Sequence, residues 1–133
     1  MDKKLIRVRD IMRTQFEYID GTDTIRTALE KMETSDARIL IVNKRHADDE
    51  YGALLLDHIA KQVLAKDKSP DRVNVYEIMS KPVIQVSPDM DIRYCARLFE
   101  RYGLIRTPVV EQDKIVGIVS YNVLVLRGLV QLL

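Results

Sequence analysis

One ordered set of blocks is written twice in this chain, and that duplication constrains the fold more than any single residue does. Val8-Arg9-Asp10-Ile11-Met12 returns as Val75-Tyr76-Glu77-Ile78-Met79, 67 positions later. At the same offset, Ile25-Arg26-x-Ala28-Leu29-x-x-Met32 returns as Ile92-Arg93-x-Cys95-Ala96-x-x-Phe99. The apolar runs Ile39–Val42 and Thr107–Val110 follow at an offset of 68, and Gly52-Ala53-Leu54-Leu55 and Gly117-Ile118-Val119-Ser120 close the copies at 65. Four blocks in a conserved order do not arise by accident. A repeat of this length implies two like subdomains that pack on each other, because neither half buries its apolar face alone.

Periodicity supplies the elements. Ile25, Ala28, Leu29 and Met32 fall at i, i+3, i+4 and i+7, the apolar stripe of a helix, and Ile92, Cys95, Ala96 and Phe99 repeat it. Thr24 and Asp91 stand where N-caps belong. Short β-branched runs come next, at Ile39–Val42 and Pro108–Val110, then at Gly52–Leu56 and Ile115–Val119. Residues 111–114 join two of these as a tight hairpin, whereas the equivalent loop 43–50 is longer and charged. Helices are expected at His58–Lys66 and Asn122–Gln131. Each copy thus reads short helix, short strand, helix, strand, strand, helix. The expected class is α/β: two pseudo-symmetric β-α-β-β-α repeats over residues 1–66 and 73–133, with a polar connector at 67–72. Apolar at nearly every position, the strands are expected in the interior of a pseudo-twofold pair.

Composition excludes several function classes. The chain has 133 residues, 47% of them hydrophobic, which suits one compact domain with a core. Its 21 Lys and Arg against 20 Asp and Glu leave no global field for nucleic acid or acidic lipid. A single cysteine, Cys95, rules out an internal disulfide and reads as a small buried hydrophobe, with a reactive thiol as the alternative. Met1–Asp10 holds no signal-peptide apolar run, and the apolar tail Val123–Leu133 is too short for a bilayer. A cytoplasmic, soluble placement is expected.

The blocks resemble a tandem pair of cystathionine-β-synthase (CBS) domains. The marks are Asp/Glu-Ile-Met opening each unit, a helix, an apolar Pro-Val-Val strand, then Gly-Ile-Val-Ser running into the last helix. The second copy carries all of them; the first has Leu40-Ile41-Val42 for Pro-Val-Val and Ala53-Leu54-Leu55 for the later strand. The resemblance covers Val8 to about Leu126 and implies two clefts between the copies that take adenine nucleotides or related anions. It further implies a Ser or Thr at the final strand end for phosphate, an Asp three residues on for ribose, and a basic residue two before the Pro. The grip is crossed between copies.

Carried over residue by residue, the match is partial. Ser120 fits the hydroxyl position, but Val123 stands where the ribose carboxylate belongs. In the first copy the same positions are Leu55 and His58. Losing a charged acceptor for ligand hydroxyls forgoes roughly 1.5–3 kcal/mol, about one to two decades of affinity. Both phosphate positions are basic: Arg106 precedes Pro108 by two and Arg38 precedes Leu40 by two. A plainer reading makes these arginines solvated strand ends, or partners of Asp36 and Glu111. The implied sites are Arg38 with Ile39, Tyr18, Ile19 and Ser120, and Arg106 with Thr107, Pro108 and His58. Restoring the carboxylate with Val123→Asp is expected to favour ribose-bearing ligands.

Other candidates read plainly. His46, Asp48, Asp49 and Glu50 lack the spacing of a metal site and suit a solvated loop. His58 reads as a capping or packing residue with no nucleophile placed for it, and Gly52 and Gly117 as strand-entry glycines. The expectation is a non-enzymatic regulatory module, with no obligatory cofactor and with AMP, ADP or ATP as the implied ligand. The alternative is a ligand-independent dimerisation scaffold. A homodimer is expected because the closing segment Val123–Leu133 is apolar on more faces than one core can cover.

Overall fold

Residues 4–133 are described by the computed structural model, in which the chain divides into two compact units. The first three residues, counted in the first repeat above, lie outside the described residues. One unit is Phe16–Val83, and the other joins residues 4–15 to Ile84–Leu133. The repeat boundaries follow the order of blocks along the chain, whereas these units follow packing. The first Asp-Ile-Met block therefore packs with the second repeat, and the second block packs with the first.

Backbone hydrogen bonds explain that exchange. Helix α1 (Val8–Ile11) ends at Met12, whose backbone turns extended, so Arg13 reaches the edge of the last strand. There Arg13 N–H donates to the Ile118 carbonyl at 2.9 Å, and Ile118 N–H returns the bond at 2.8 Å. In the other unit, helix α4 (Val75–Ile78) delivers Ser80 to Ala53, with reciprocal bonds of 2.9 Å each way. Each short helix thus satisfies an edge that would otherwise present unpaired backbone groups.

The unit Phe16–Val83 holds β1 (Glu17–Ile19), α2 (Ile25–Ser35), β2 (Ile39–Val42) and β3 (Gly52–Leu55). Strand β1 lies parallel to β2, pairing Tyr18 with Ile41, and β2 lies antiparallel to β3, pairing Ile39 with Leu55. A parallel pair needs a crossover, and α2 supplies it. Thr24 caps α2 by accepting from Thr27 N–H at 3.2 Å, as its position predicts. β2 is buried at all four positions. Helix α3 (Leu56–Ile59) runs on through a π-helical turn, Ala60–Leu64. The connector is pinned rather than loose: Arg26 forks onto Asp71, and Arg26 N–H donates to the Pro70 carbonyl at 3.1 Å.

In the other unit, α5 (Ile92–Tyr102) is capped by Asp91, which accepts from Arg93 N–H at 2.8 Å. β4 (Arg106–Glu111) and β5 (Lys114–Ser120) form an antiparallel pair. Their two-residue loop puts Gln112 and Asp113 at φ 51° and 64°, as a hairpin turn with strand-matched twist requires. The short strand expected before α5 is reduced to one parallel bridge, Val86 with Val109. Pro82 and Pro88 flank that segment, and a residue without an N–H cannot extend a ladder. The chain closes through α6 (Tyr121–Val123), a π-helical turn Leu124–Gly128 and a 3₁₀ turn Leu129–Leu132. No helix among the described residues is long and apolar enough to cross a membrane.

The two cores are built alike. Ile25, Ala28 and Met32 meet Leu40, Val42 and Leu54 in one; Ile92, Cys95 and Phe99 meet Val109, Val119 and Val123 in the other. The i+4 members of both stripes, Leu29 and Ala96, stand exposed instead. A small sheet covers only a narrow arc of a helix, so the margin of the stripe is left outside. Cys95 is fully buried, and desolvation pushes its thiol up to about 12, which makes it the inert hydrophobe of the two readings.

Candidate functional site

The residues singled out in the sequence gather at corresponding places, one group in each unit. In the unit closed by β5, Arg106 and Ser120 are direct partners on the β4–β5 ladder. Ser120 Oγ accepts from Val123 N–H at 3.3 Å and so caps the closing helix. A hydroxyl used as an acceptor still carries its own proton to donate. Arg106 is half-buried and engaged. Thr107 is 1% exposed and its hydroxyl donates to the Ile84 carbonyl, while Pro108 is buried beside it. These two frame the strand rather than face solvent.

Val123 requires a correction. It lies 2% exposed in the core with Phe99 and Val119, so a carboxylate placed there enters apolar surroundings. The expectation that Val123→Asp simply restores a ribose contact is withdrawn, because an unpaired buried charge costs more than one ligand hydrogen bond returns.

The other unit presents Tyr18, Ile19, Arg38, Ile39 and His58. Ile19 and Ile39 are buried. Tyr18 is half-buried with its ring edge-on to Phe16, centroids 5.5 Å apart, and desolvation raises its phenol above the usual 10. Arg38 is exposed, and its guanidinium makes no ion pair or hydrogen bond among the described residues. Asp36, offered above as a plain partner, does not hold it. Glu111, the other plain partner, receives Arg9 at 2.6 Å.

His58 spends both ring nitrogens inside its own unit. Nδ1 accepts from Leu55 N–H at 3.1 Å, and Nε2 lies 3.2 Å from Ser80 Oγ. A neutral ring that accepts at Nδ1 carries its proton on Nε2 and donates it to Ser80. That tautomer is the reverse of what a base activating a serine needs, so the pair is not a nucleophile with its base. His58 at the third position of its helix does from one side what Ser120 does from the other: each ties a helix start to its preceding strand. Ser80 was missed in the sequence, where only its place after the second Ile-Met hints that it meets β3.

Asp49 organises the long loop. It accepts from Arg45 N–H at 2.9 Å, from the Arg45 guanidinium at 3.0 Å and from Lys81 Nζ at 2.8 Å. These partners, Arg45 foremost, hold its carboxyl well below the usual carboxylate range. Among the described residues, no group of three or more His, Cys, Asp or Glu side chains is placed to hold a metal ion. The glycines are also better defined. A Cβ on Gly117 would lie 2.7 Å from Met12 Sδ and 2.8 Å from the Arg13 carbonyl; on Gly52, 2.9 Å from Met79 Sδ and 3.2 Å from the Ser80 carbonyl. They are close-approach glycines under the incoming Asp-Ile-Met segments.

Comparison with known proteins agrees with this geometry. The sequence model of the CBS domain matches residues 8–55 and 75–125. An uncharacterized protein of Methanopyrus kandleri, MK0525, is 31% identical over 108 residues, covering 78% of this chain and 54% of that protein. The chain therefore spans about half the length of that relative. The hexameric CBS-CP12 protein from bloom-forming cyanobacteria superimposes with a TM-score of 0.91 at 32% identity, over 93% of this chain and 72% of that one. The CBS domain pair of protein MJ0100, solved with 5'-methylthioadenosine and S-adenosyl-L-methionine, superimposes with a TM-score of 0.82 at 22% identity, over 96% of this chain and 99% of that one.

Proposed function

Since this chain belongs to the CBS domain family, we propose that it is a non-catalytic regulatory module that binds an adenine nucleotide or a related anionic adenosine compound. The observation that carries the reading is Arg38. It is an exposed guanidinium without a protein partner among the described residues, placed one residue before a wholly buried strand. Holding a cation there gains the fold nothing by pairing, whereas a phosphate or carboxylate takes two parallel hydrogen bonds from such a fork. MJ0100, which shares the fold, is seen with adenosine compounds, and this supports the adenosine part of the ligand class, while the anionic part rests on Arg38. In this proposal Arg38, with Tyr18 and Ile19, acts on one ligand, and Arg106 acts on a second. His58, already bonded on both nitrogens, contributes less. Ribose recognition is weak because neither carboxylate is present.

The test is a thermal-shift panel of AMP, ADP, ATP and S-adenosylmethionine at millimolar concentration. A ligand at about one hundred times its dissociation constant stabilises the fold by roughly 2.7 kcal/mol, which is several degrees for a domain this size. At least one compound is expected to shift the melting point by that amount. No shift with any of them would favour the ligand-independent scaffold.

A second reading, self-association, has its own observation. Val125, Leu126, Leu129 and Val130 stand exposed on the closing helical turns and Leu133 just after them, Leu126 at 69%. Such a cluster is more than scattered surface apolar residues, and a second copy covers it at the least cost. We propose a homodimer.

A further inference from the structure

The chain passes between its two compact units twice, at residues 15–16 and at residues 83–84. The segments leading into these crossings correspond at the shared offset of 67, Arg13 to Ser80 and Thr14 to Lys81. Both are bonded through the backbone to a strand edge, Arg13 to Ile118 and Ser80 to Ala53. Only the second is also held by side chains. Ser80 Oγ lies 3.2 Å from His58 Nε2, and Lys81 Nζ donates to Asp49 Oδ2 at 2.8 Å. In the other unit Val123 stands in the place of His58, and the Thr14 side chain makes no hydrogen bond among the described residues.

The tie to Lys81 depends on the length of one loop. Nine residues, 43–51, join β2 to β3, whereas two, 112–113, join β4 to β5. The extra length carries Asp49, whose side chain is only 8% exposed although Asp48 and Glu50 beside it are exposed. The loop itself orients this carboxylate. Arg45 donates to it from its backbone N–H at 2.9 Å and from its guanidinium at 3.0 Å, and Asp49 N–H donates to the His46 carbonyl at 3.1 Å. A carboxylate already fixed in this way loses little further side-chain entropy when it meets an ammonium. The Lys81 side chain is 20% exposed, so loss of its partner would strand a partly desolvated charge.

We propose that residues 43–51 form a strap that locks the segment 80–83 to its own unit, so that the chain gives first at the unstrapped crossing, residues 13–15. The lock is polar and stands apart from the apolar cluster of Ile25, Leu40, Leu54 and Val75, so it opens without unmaking that core. Local opening of this kind is how a fold keeps one connection rigid and another yielding. The strap uses neither Arg38 nor Arg106, so it and the ligand reading stand or fall separately.

Amide hydrogen exchange, followed by nuclear magnetic resonance on the whole chain, tests this with Asp49→Asn, Lys81→Met and the double variant. Asp48→Asn, an equal change of charge at an exposed neighbour, is the control, and circular dichroism melts verify folding. In the parent, the Ser80 and Ala53 amides are expected to exchange at least about tenfold more slowly than those of Arg13 and Ile118, once intrinsic rates are divided out. Each single variant should speed Ser80 and Ala53 about tenfold or more, while Ala28 in α2 and Ile118 keep their rates. The double variant should add no more than about threefold to either single, because both remove one contact. Asp48→Asn should leave all of these rates alone. Singles that do not speed Ser80 would overturn the strap. Singles that speed Ala28 as much as Ser80 would also overturn it, because Asp49 would then support the whole unit. So would a parent in which Arg13 exchanges as slowly as Ser80, or an Asp48→Asn that acts as Asp49→Asn does.

Discussion

Val123 and His58 occupy the same place in the two copies, three residues past the end of the closing strand, and do unrelated work. Val123 fills the core beside Phe99, and His58 bonds Leu55 N–H and Ser80. Substituting Val123 with Asp is expected to lower the free energy of unfolding by more than about 3 kcal/mol, read by urea denaturation, because it buries a charge with no partner. A stability unchanged to within about 0.5 kcal/mol would show that this side chain reaches solvent after all. The sequence could place both residues in register with a family pattern, since register depends only on order. It could not show their surroundings. The burial of Val123 depends on Phe99 and Ile6, and the engagement of His58 depends on Ser80, all distant in sequence. Ser120 and the two arginines could be singled out as candidates from their places beside the strand ends, whereas the helix cap that Ser120 makes became visible only in the structure.

At the scale of elements, the helices α2 and α5, their caps and strands β2 to β5 could be read from periodicity, because each is long enough to show its period. The shorter pieces could not. The strand expected before α5 shrinks to the Val86 bridge between two prolines, and the closing helices contain π-helical turns that leave no periodic signature. The exchange of the Asp-Ile-Met segments was also invisible, since it rests on backbone bonds between Arg13 and Ile118 and between Ser80 and Ala53. The glycines beneath those segments test that arrangement. Gly117→Ala drives a methyl against the Arg13 carbonyl, which cannot swing away, and should cost about 1–3 kcal/mol. Gly52→Ala mainly meets the flexible end of Met79 and should cost less. Equal melting temperatures for both variants and the parent would contradict the close approach.

For the whole molecule, duplication gives two units with the same parts and different surfaces. One carries an exposed Arg38 and a groove bordered by Glu17 and Glu30; the other carries a capping Ser120 and a face of arginine and tyrosine. Divergence of this kind leaves the two units with different chemistry at corresponding positions. A ligand regulates such an assembly only through its differential affinity for two states of it, so binding itself must be secured first. The most direct measurement is isothermal titration of AMP, ADP, ATP and S-adenosylmethionine into the parent chain and into Arg38→Ala. The account predicts saturable binding of at least one ligand by the parent, and an affinity at least about tenfold weaker for Arg38→Ala, because truncation strands the ligand's charge. Heats that never saturate with any of the four, or an Arg38→Ala variant that binds as tightly as the parent, would contradict it.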